Sequence, residues 1–526
     1  MVKHQAAVSY PQDNPEPEVL STELVLPASR SSACTPVPLI SASSVAAPYA
    51  QCLLLYDAQG AAALDRASLS HSLSLVLSAY PQLAGRLRLP STDPSTSFPE
   101  YTKRFLRPWI EYGSDDPGFL LTFERRSVPL AAVLPAPTQW ERVYDARTID
   151  FGLAPALAPN LAPSTPRTEG ALSGAKITLF DGGAALVVGT SHVLADAGAL
   201  GTFLQDWAEV HALSSGAEDF VAELVKKRRL DWAALDGHAA GDLNASAPDP
   251  MLESVESELD VLRYDAWVAP PSTPLAAMAV PDPAIAELDA ARGFRRGAPP
   301  PWELLGSETA RTYILNWSAG EVERITARAR LHTPAASAND ALAAHLWRLI
   351  TRARGIAKGE VEFTMACDVR RILQAEEAPG CFNVCLGFNA PAEDLAQEGW
   401  PEARIRRAVE SVSRERVAAW LHRRAHDLDL RREMICFPGV RSVCATNWAR
   451  SGVCTLDFGG GAPVYTHNLV PAFGGYATIL KGRGEGVGMG GRIGGGEKWY
   501  EPGVDVMLWL EESAMARLVA DPTLRG

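Results

Sequence analysis

Two hydrophobic periods alternate along this chain. Between residues 62 and 80, Leu69, Leu73, Val76, Leu77 and Tyr80 recur at three- and four-residue steps, which places them on one face of an α-helix. Pro81 stops that pattern, and the LAGRLRL that follows reads as a turn entering a strand. KITLFDGGAALVVGTS reads as two strands joined by a tight hairpin at Asp181–Gly183. Leu200, Phe203, Leu204 and Trp207 then mark a second amphipathic helix, with Asp196 at its N-cap position.

Residues 244–305 are rich in proline and read as a long crossover, with one short helix near Pro283–Ala291. A second set of elements follows it. TARTYILNW is a strand, and Ser318 with Glu321 forms the capping box of a helix. A helix around Ala338–Ile350, the strand EFTMACDV, a helix over 402–420 and the strand GVCTLDF come next. The strand–helix pair VDVMLWLEESAMARLVA completes the set. There is no internal repeat. This order predicts an α/β fold of two similar layers, each a mixed sheet flanked by helices.

Composition narrows the function classes. With 526 residues, 47% apolar and 21% charged, the chain has the make-up of a globular enzyme with room for two hydrophobic cores. A net charge of −13 argues against nucleic acid, whose phosphates call for clustered Lys and Arg. The first residues, MVKHQAAVSYPQDNPEPEV, lack the apolar stretch of a signal peptide, and no apolar run is long enough to span a bilayer. The eight cysteines include no CxxC pair, so neither a zinc site nor a disulfide framework is expected. Cys381 and Cys385 are read as buried thiols of a cytoplasmic protein.

Candidate chemistry centres on VVGTSHVLADAG. His192 and Asp196 stand four positions apart, but so do His238 and Asp242 in GHAAGD. Ten histidines in a chain with aspartate at roughly one position in twenty give about half such an instance by chance. Context separates the copies. A strand delivers the chain to His192 and a helix starts at Asp196, whereas His238 lies in a Gly- and Ala-rich stretch with no strand before it. Only the first is taken as a site. IDFGLA and LDFGGG both contain the DFG of protein kinases, but HRD is absent. KGRGEGVGMGGRIGGGEK lacks the GK[ST] ending of a phosphate-binding P-loop and is read as a surface loop.

Five segments, in order, resemble the BAHD acyltransferases, the HxxxD-type acyl-CoA-dependent family, and its fungal more than its plant branch. They are YPQLAGRLR (Tyr80–Arg88), SHVLADAGALGTFLQDWA (Ser191–Ala208), SANDALAAHLW (Ser337–Trp347), CDVRRIL (Cys367–Leu373) and ATNWARSGVCTLDFGGGAPV (Ala445–Val464). Three departures stand out. The family's DFGWG has Gly460 in place of tryptophan, its HxxxDG has Ala197 before Gly198, and its YFGN is shortened to Cys381-Phe382-Asn383.

The resemblance implies two chloramphenicol-acetyltransferase-like domains with an active-site channel at their interface. Residues 1–215 would form the first half, 216–305 the crossover and 306–526 the second half. It implies acyl transfer from acyl-CoA, acetyl-CoA foremost, to a hydroxyl or amine of a small-molecule acceptor, in the manner of secondary metabolism. His192 would be the general base, for which a neutral imidazole is suited near pH 7. Trp448, Thr446 and Asn383 are the candidates for oxyanion stabilisation or substrate binding. Asp196 would be structural, turned from the substrate to pair with Arg370. Asp457, Phe458 and Gly459 would likewise be structural. No metal, permanently bound cofactor or covalent acyl-enzyme is expected, and the protein is read as a cytoplasmic monomer that meets neither nucleic acid nor membrane. Two other readings stay open: a condensation-type enzyme that takes its acyl group from a carrier protein, against which Ser191 before His192 weighs, and an inactive binding protein on the same scaffold.

Overall fold

Apolar residues on alternating positions make the strands, and among the described residues these assemble into two large mixed sheets and two small antiparallel ones of three and two strands. The computed structural model describes all residues except 1–15, 91–97, 105–106, 114, 147–148, 150, 160–166, 214–215, 266–296, 307–308, 428–432, 470–472 and 483–497. The helix expected near Pro283–Ala291 and most of the Gly-rich loop lie outside the described residues.

The first half supplies β1 (Glu18–Val25), β2 (Ala50–Asp57), β3 (Phe119–Pro129), β4 (Ala136–Pro137), β5 (Val143–Asp145), β6 (Ser173–Asp181) and β7 (Gly183–Thr190). The second supplies β8 (Ala310–Ser318), β9 (Glu360–Asp368), β10 (Asn383–Pro391), β11 (Ser442–Asn447), β12 (Tyr465–Asn468), β13 (Tyr476–Lys481) and β14 (Gly503–Glu511). The six-stranded sheet runs β1-β3-β6-β7-β2-β12, and the eight-stranded sheet β10-β9-β11-β13-β14-β8-β5-β4. Each half therefore lends strands to the other's sheet: β12 pairs with β2, and β5 pairs with β8. The expected hairpin closes with Phe180 opposite Gly183, and Gly182 takes φ +84° in the two-residue loop.

The longer helices are α1 (Arg66–Val76), α2 (Ala197–Ala212), α3 (Ala217–Lys227), α4 (Pro250–Glu256), α5 (Ala319–His332), α6 (Ala338–Ala353), α7 (Trp400–Ser411), α8 (Arg414–Arg424) and α9 (Glu512–Val519). Side chains cap most of them: Asp65 opens α1, and Ser318–Glu321 and Ser337–Asp340 form reciprocal boxes at α5 and α6. One core packs α5, α6, α7 and α9 on the eight-stranded sheet, and a second packs α1 and α2 on the six-stranded sheet. A third cluster, including Leu53, Leu55, Val187, Ile314 and Met507, joins the two sheets face to face. Among the described residues no helix is long and apolar enough to cross a membrane.

Four expectations need correction. The helix read over 62–80 is α1 alone, with Ala62 in a separate short helix and turns from Leu77 to Tyr80. The helix read over 402–420 is two, because the Ser413 hydroxyl accepts the Arg416 amide and starts α8 afresh. GVCTLDF is not a strand. Gly452 and Gly459 take φ of +80° and +101°, and the stretch curls into a single 3-10 turn that sends Val453, Leu456 and Phe458 into the core. The crossover holds α4, capped by Asp249, where no helix was read.

The fit between the halves is tight at Gly201 in α2, where an added Cβ would lie 2.0 Å from the Ser451 carbonyl oxygen. Gly→Ala inside a helix ordinarily stabilises by about 1 kcal/mol. Gly201→Ala is expected to destabilise instead, by about 1–3 kcal/mol, read as a lower urea midpoint. Gly320→Ala in α5 is the control, since its nearest neighbour would be 3.9 Å away. It should be neutral or stabilising.

Candidate active site

β7 is buried along its whole length between β6 and β2, and it ends at Thr190. The chain then turns at once: the amides of Leu194 and Ala195 donate to the Ser191 carbonyl at 2.8 and 3.3 Å. Val193, Leu194 and Ala195 are all under 5% exposed and anchor this turn in the first-half core. His192 alone is half-buried. Its Nδ1 is enclosed without a hydrogen-bond partner among the described residues. Burial lowers its pKa below the usual 6.5, partly offset by the Asp196 carboxylate and the residue's own backbone.

Asp196 ends the turn as the N-cap of α2 and is 1% exposed. Its carboxylate accepts four hydrogen bonds, each 2.9 Å long. Two come from Arg370 Nη1 and Nη2, one from the Ala199 amide and one from the Phe382 amide. A carboxylate offers about four lone-pair sites, so none is left for an imidazole N–H. Asp196 and His192 are therefore not a hydrogen-bonded dyad. Burial would raise the Asp196 pKa, but the Arg370 charge and these donors together hold it below the ordinary value.

Arg370 is itself held in place. Its backbone amide and Nη1 donate to Asp368 at 2.8 and 2.9 Å, its Nη2 donates to the Gly380 carbonyl at 2.8 Å, and its guanidinium lies 4.6 Å from the Phe382 ring centre. The Asp196 amide donates to Gly380 as well, at 3.4 Å. The His192 turn of the first half is thus stapled to residues 368–382 of the second. Asp368, Gly380 and the Phe382 amide were not singled out from the sequence. The only signal was Asp368 two places before Arg370, which suits a carboxylate that bonds back onto its own arginine.

The other candidates distribute as follows. On the eight-stranded sheet, Val384, Leu386, Val443 and Ala445 face the helices, so Asn383, Cys385, Cys444 and Thr446 share the opposite face. Thr478, Asp505 and Asn316 continue that polar face, with Asn316 donating to Asp505 at 2.8 Å. Trp448, only 5% exposed, packs instead with Val453, Leu456 and Phe458 in the first-half core. The Asp457 carboxylate accepts the amides of Gly459 and Gly461, both at 2.7 Å, and so closes the turn that lodges Phe458 edge-on against Trp207. Gly460 lies against a backbone: a Cβ there would be 2.6 Å from the Gln59 carbonyl and the Gly60 Cα. Tryptophan cannot replace it without moving that segment. Cys381 is buried, with its Sγ accepting from Ser44 at 3.1 Å. His238 sits in the turn after the short helix Trp232–Asp236, and Asp242 bonds the Asn244 amide rather than the imidazole. His345 and His467 are buried, with pKa values pushed down to about 4 and about 3. Among the described residues, no group of three His, Cys, Asp or Glu is arranged to hold a metal.

Residues 304–521 match the family model described as the Transferase family. No curated protein sequence matches the chain. Solved structures do. F. sporotrichioides TRI101 complexed with coenzyme A and T-2 is 14% identical, with 93% of this chain and 98% of that one covered at a TM-score of 0.59. F. graminearum TRI101 complexed with coenzyme A and deoxynivalenol is 16% identical, with 94% and 98% covered at 0.59. Vinorine synthase is 18% identical, with 95% and 96% covered at 0.56. The chain has the fold of these proteins.

Removing one partner of a buried ion pair strands the other charge, typically at a cost of about 3–5 kcal/mol. Asp196→Ala and Arg370→Ala should each lower the unfolding free energy by an amount in that range, read from the shift of the urea midpoint. The double variant should lose less than the sum, measured as a double-mutant cycle in urea.

Proposed function

We propose that this chain transfers an acyl group from an acyl-CoA thioester to a hydroxyl or amine of a small-molecule acceptor, with His192 as general base. The observation that carries the reading is the half-buried imidazole of His192, on a turn stapled across the two halves, in a fold shared with proteins solved in complex with coenzyme A. The enclosed Nδ1 leaves Nε2 as the basic nitrogen. The acceptor hydroxyl or amine loses its proton to Nε2 as its heteroatom attacks the thioester carbonyl. The tetrahedral oxyanion then collapses with loss of the CoA thiolate, whose parent thiol has a pKa of roughly 8.5 and leaves readily. The imidazolium returns its proton to that sulfur. We assign the oxyanion contact to Thr446 ahead of Trp448, because Thr446 belongs to the polar sheet face and Trp448 to an apolar cluster. Asp196 and Arg370 act by holding the turn.

Acyl-CoA turnover, read as free thiol with a panel of alcohols and amines, tests the reading. His192→Ala should abolish turnover with the fold retained, while His238→Ala should have no effect. Equal losses from the two would refute the assignment.

The pH profile follows from the direction of the His192 shift. Protonation removes the base, so kcat/KM should fall as pH drops through a midpoint below 6.5 and level off above it. A midpoint well above 6.5 would point to another group.

Direct transfer also predicts that enzyme quenched with donor alone carries no added acyl mass. A stoichiometric adduct on Cys381 or Cys385 would show a covalent route instead. Burial pushes the Cys381 thiol up to about 12, which disfavours the thiolate.

A further inference from the structure

A cavity of about 340 Å³ opens where the two halves meet, beside the first turns of α2. His192 does not line it; Arg370 does, while also holding Asp196. Small-molecule sites commonly start at about this volume. Its charge is unusual for this protein. In a chain of net charge −13, four arginines face the cavity against three carboxylates.

The pairing of those charges leaves two cations over. Arg228 is held by Asp206 at 2.9 Å and by Glu377, and Arg370 by Asp196 and Asp368. These pairs use two of the three lining acids. The side chains of Arg371 and Arg450, both exposed, form no ion pair or hydrogen bond with a described residue, and Glu376 is the acid left over. The amide of Gly198, also on the wall, donates to no described residue and sits at the positive end of the 16-residue α2. Two guanidiniums and a helix-N-terminal amide that line one cavity, none of them paired with a described residue, match a tetrahedral oxyanion.

We propose that this cavity binds a phosphate group, with Arg371 and Arg450 as its two guanidinium contacts. The phosphate has two sources. One is the CoA donor, an arm that rests on the proposed function; the other is a free organic phosphate, which does not. In both cases the ligand touches the arginine run that holds Asp196, so occupancy steadies the staple beneath His192.

Titration calorimetry on the full chain with inorganic phosphate and with adenosine 3′,5′-bisphosphate tests this. Wild type should bind, and the double variant Arg371→Gln/Arg450→Gln should bind at least about tenfold more weakly, having lost two charge-assisted contacts. Neither side chain carries a structural pair, so the variant should keep the wild-type melting temperature. His192→Ala should bind as wild type does, which separates failure of this proposal from failure of the proposed chemistry. Displacement of bound phosphate by CoA, with a raised KM and unchanged kcat for acyl-CoA in the double variant, supports the donor as the source. Phosphate binding that CoA does not displace supports a free ligand. No binding by wild type at tens of millimolar, or equal binding by the double variant, overturns the proposal.

Discussion

A buried carboxylate that accepts four hydrogen bonds where the two halves meet constrains everything around it. Asp196 is 1% exposed, and taking its charge out of water costs several kcal/mol unless every lone pair is met. Meeting them requires a cap on α2, both arms of Arg370 and the Phe382 amide at once. The strand-to-helix turn of one half and the β9–β10 connection of the other must therefore be in place together. His192 has no such restraints on its ring. It inherits its position from a neighbour four residues away.

This division of labour explains the appeal of the HxxxD spacing and the error it invites. His192 and Asp196 stand four positions apart because the chain needs one tight turn between β7 and α2, with three small or apolar residues to plug it into the core. The proximity is a by-product of that turn. Electrostatics still links the two, since the Asp196 charge opposes the burial that lowers the His192 pKa, but no hydrogen bond joins them. The DFGGG turn works on the same principle at a distance: Asp457 gathers two glycine amides, Phe458 fills the back of α2, and α2 begins at Asp196. Gly460 allows the turn to rest directly on the Gln59–Gly60 backbone, where a larger side chain has no room.

Local features were legible in the sequence because their causes are local. The hairpin at Asp181–Gly183, the cap at Asp196 and the box at Ser318–Glu321 are each set by neighbours within a few residues. The break at Ser413 was equally local and was overlooked, since the apolar spacing runs on across it. GVCTLDF misled for a different reason: its apolar residues alternate because a turn tucks them into the core, and two positive-φ glycines prevent extension. Sheet order was not legible at all. Nothing in Tyr465–Asn468 announces that it pairs with Leu53 and its neighbours. At the site, His192 showed itself by its place between strand and helix, and Arg370 by the family pattern. The Phe382 amide could not, because a backbone donor reaching across 186 residues leaves no side-chain signature.

The exchange of β12 into the first sheet has a consequence for biosynthesis. The edge of β2 that β12 covers leaves the ribosome roughly four hundred residues before its partner, an interval on the order of tens of seconds at ordinary elongation rates. Throughout that time an apolar strand, CLLLY, offers unpaired amides and carbonyls to any passing chain. Nascent molecules crowded on one message would present that edge to each other, and a chaperone that shields it until release would raise soluble yield. The same topology makes severed halves poor candidates for separate expression, since each would emerge with a sheet margin shaped for a strand it does not encode.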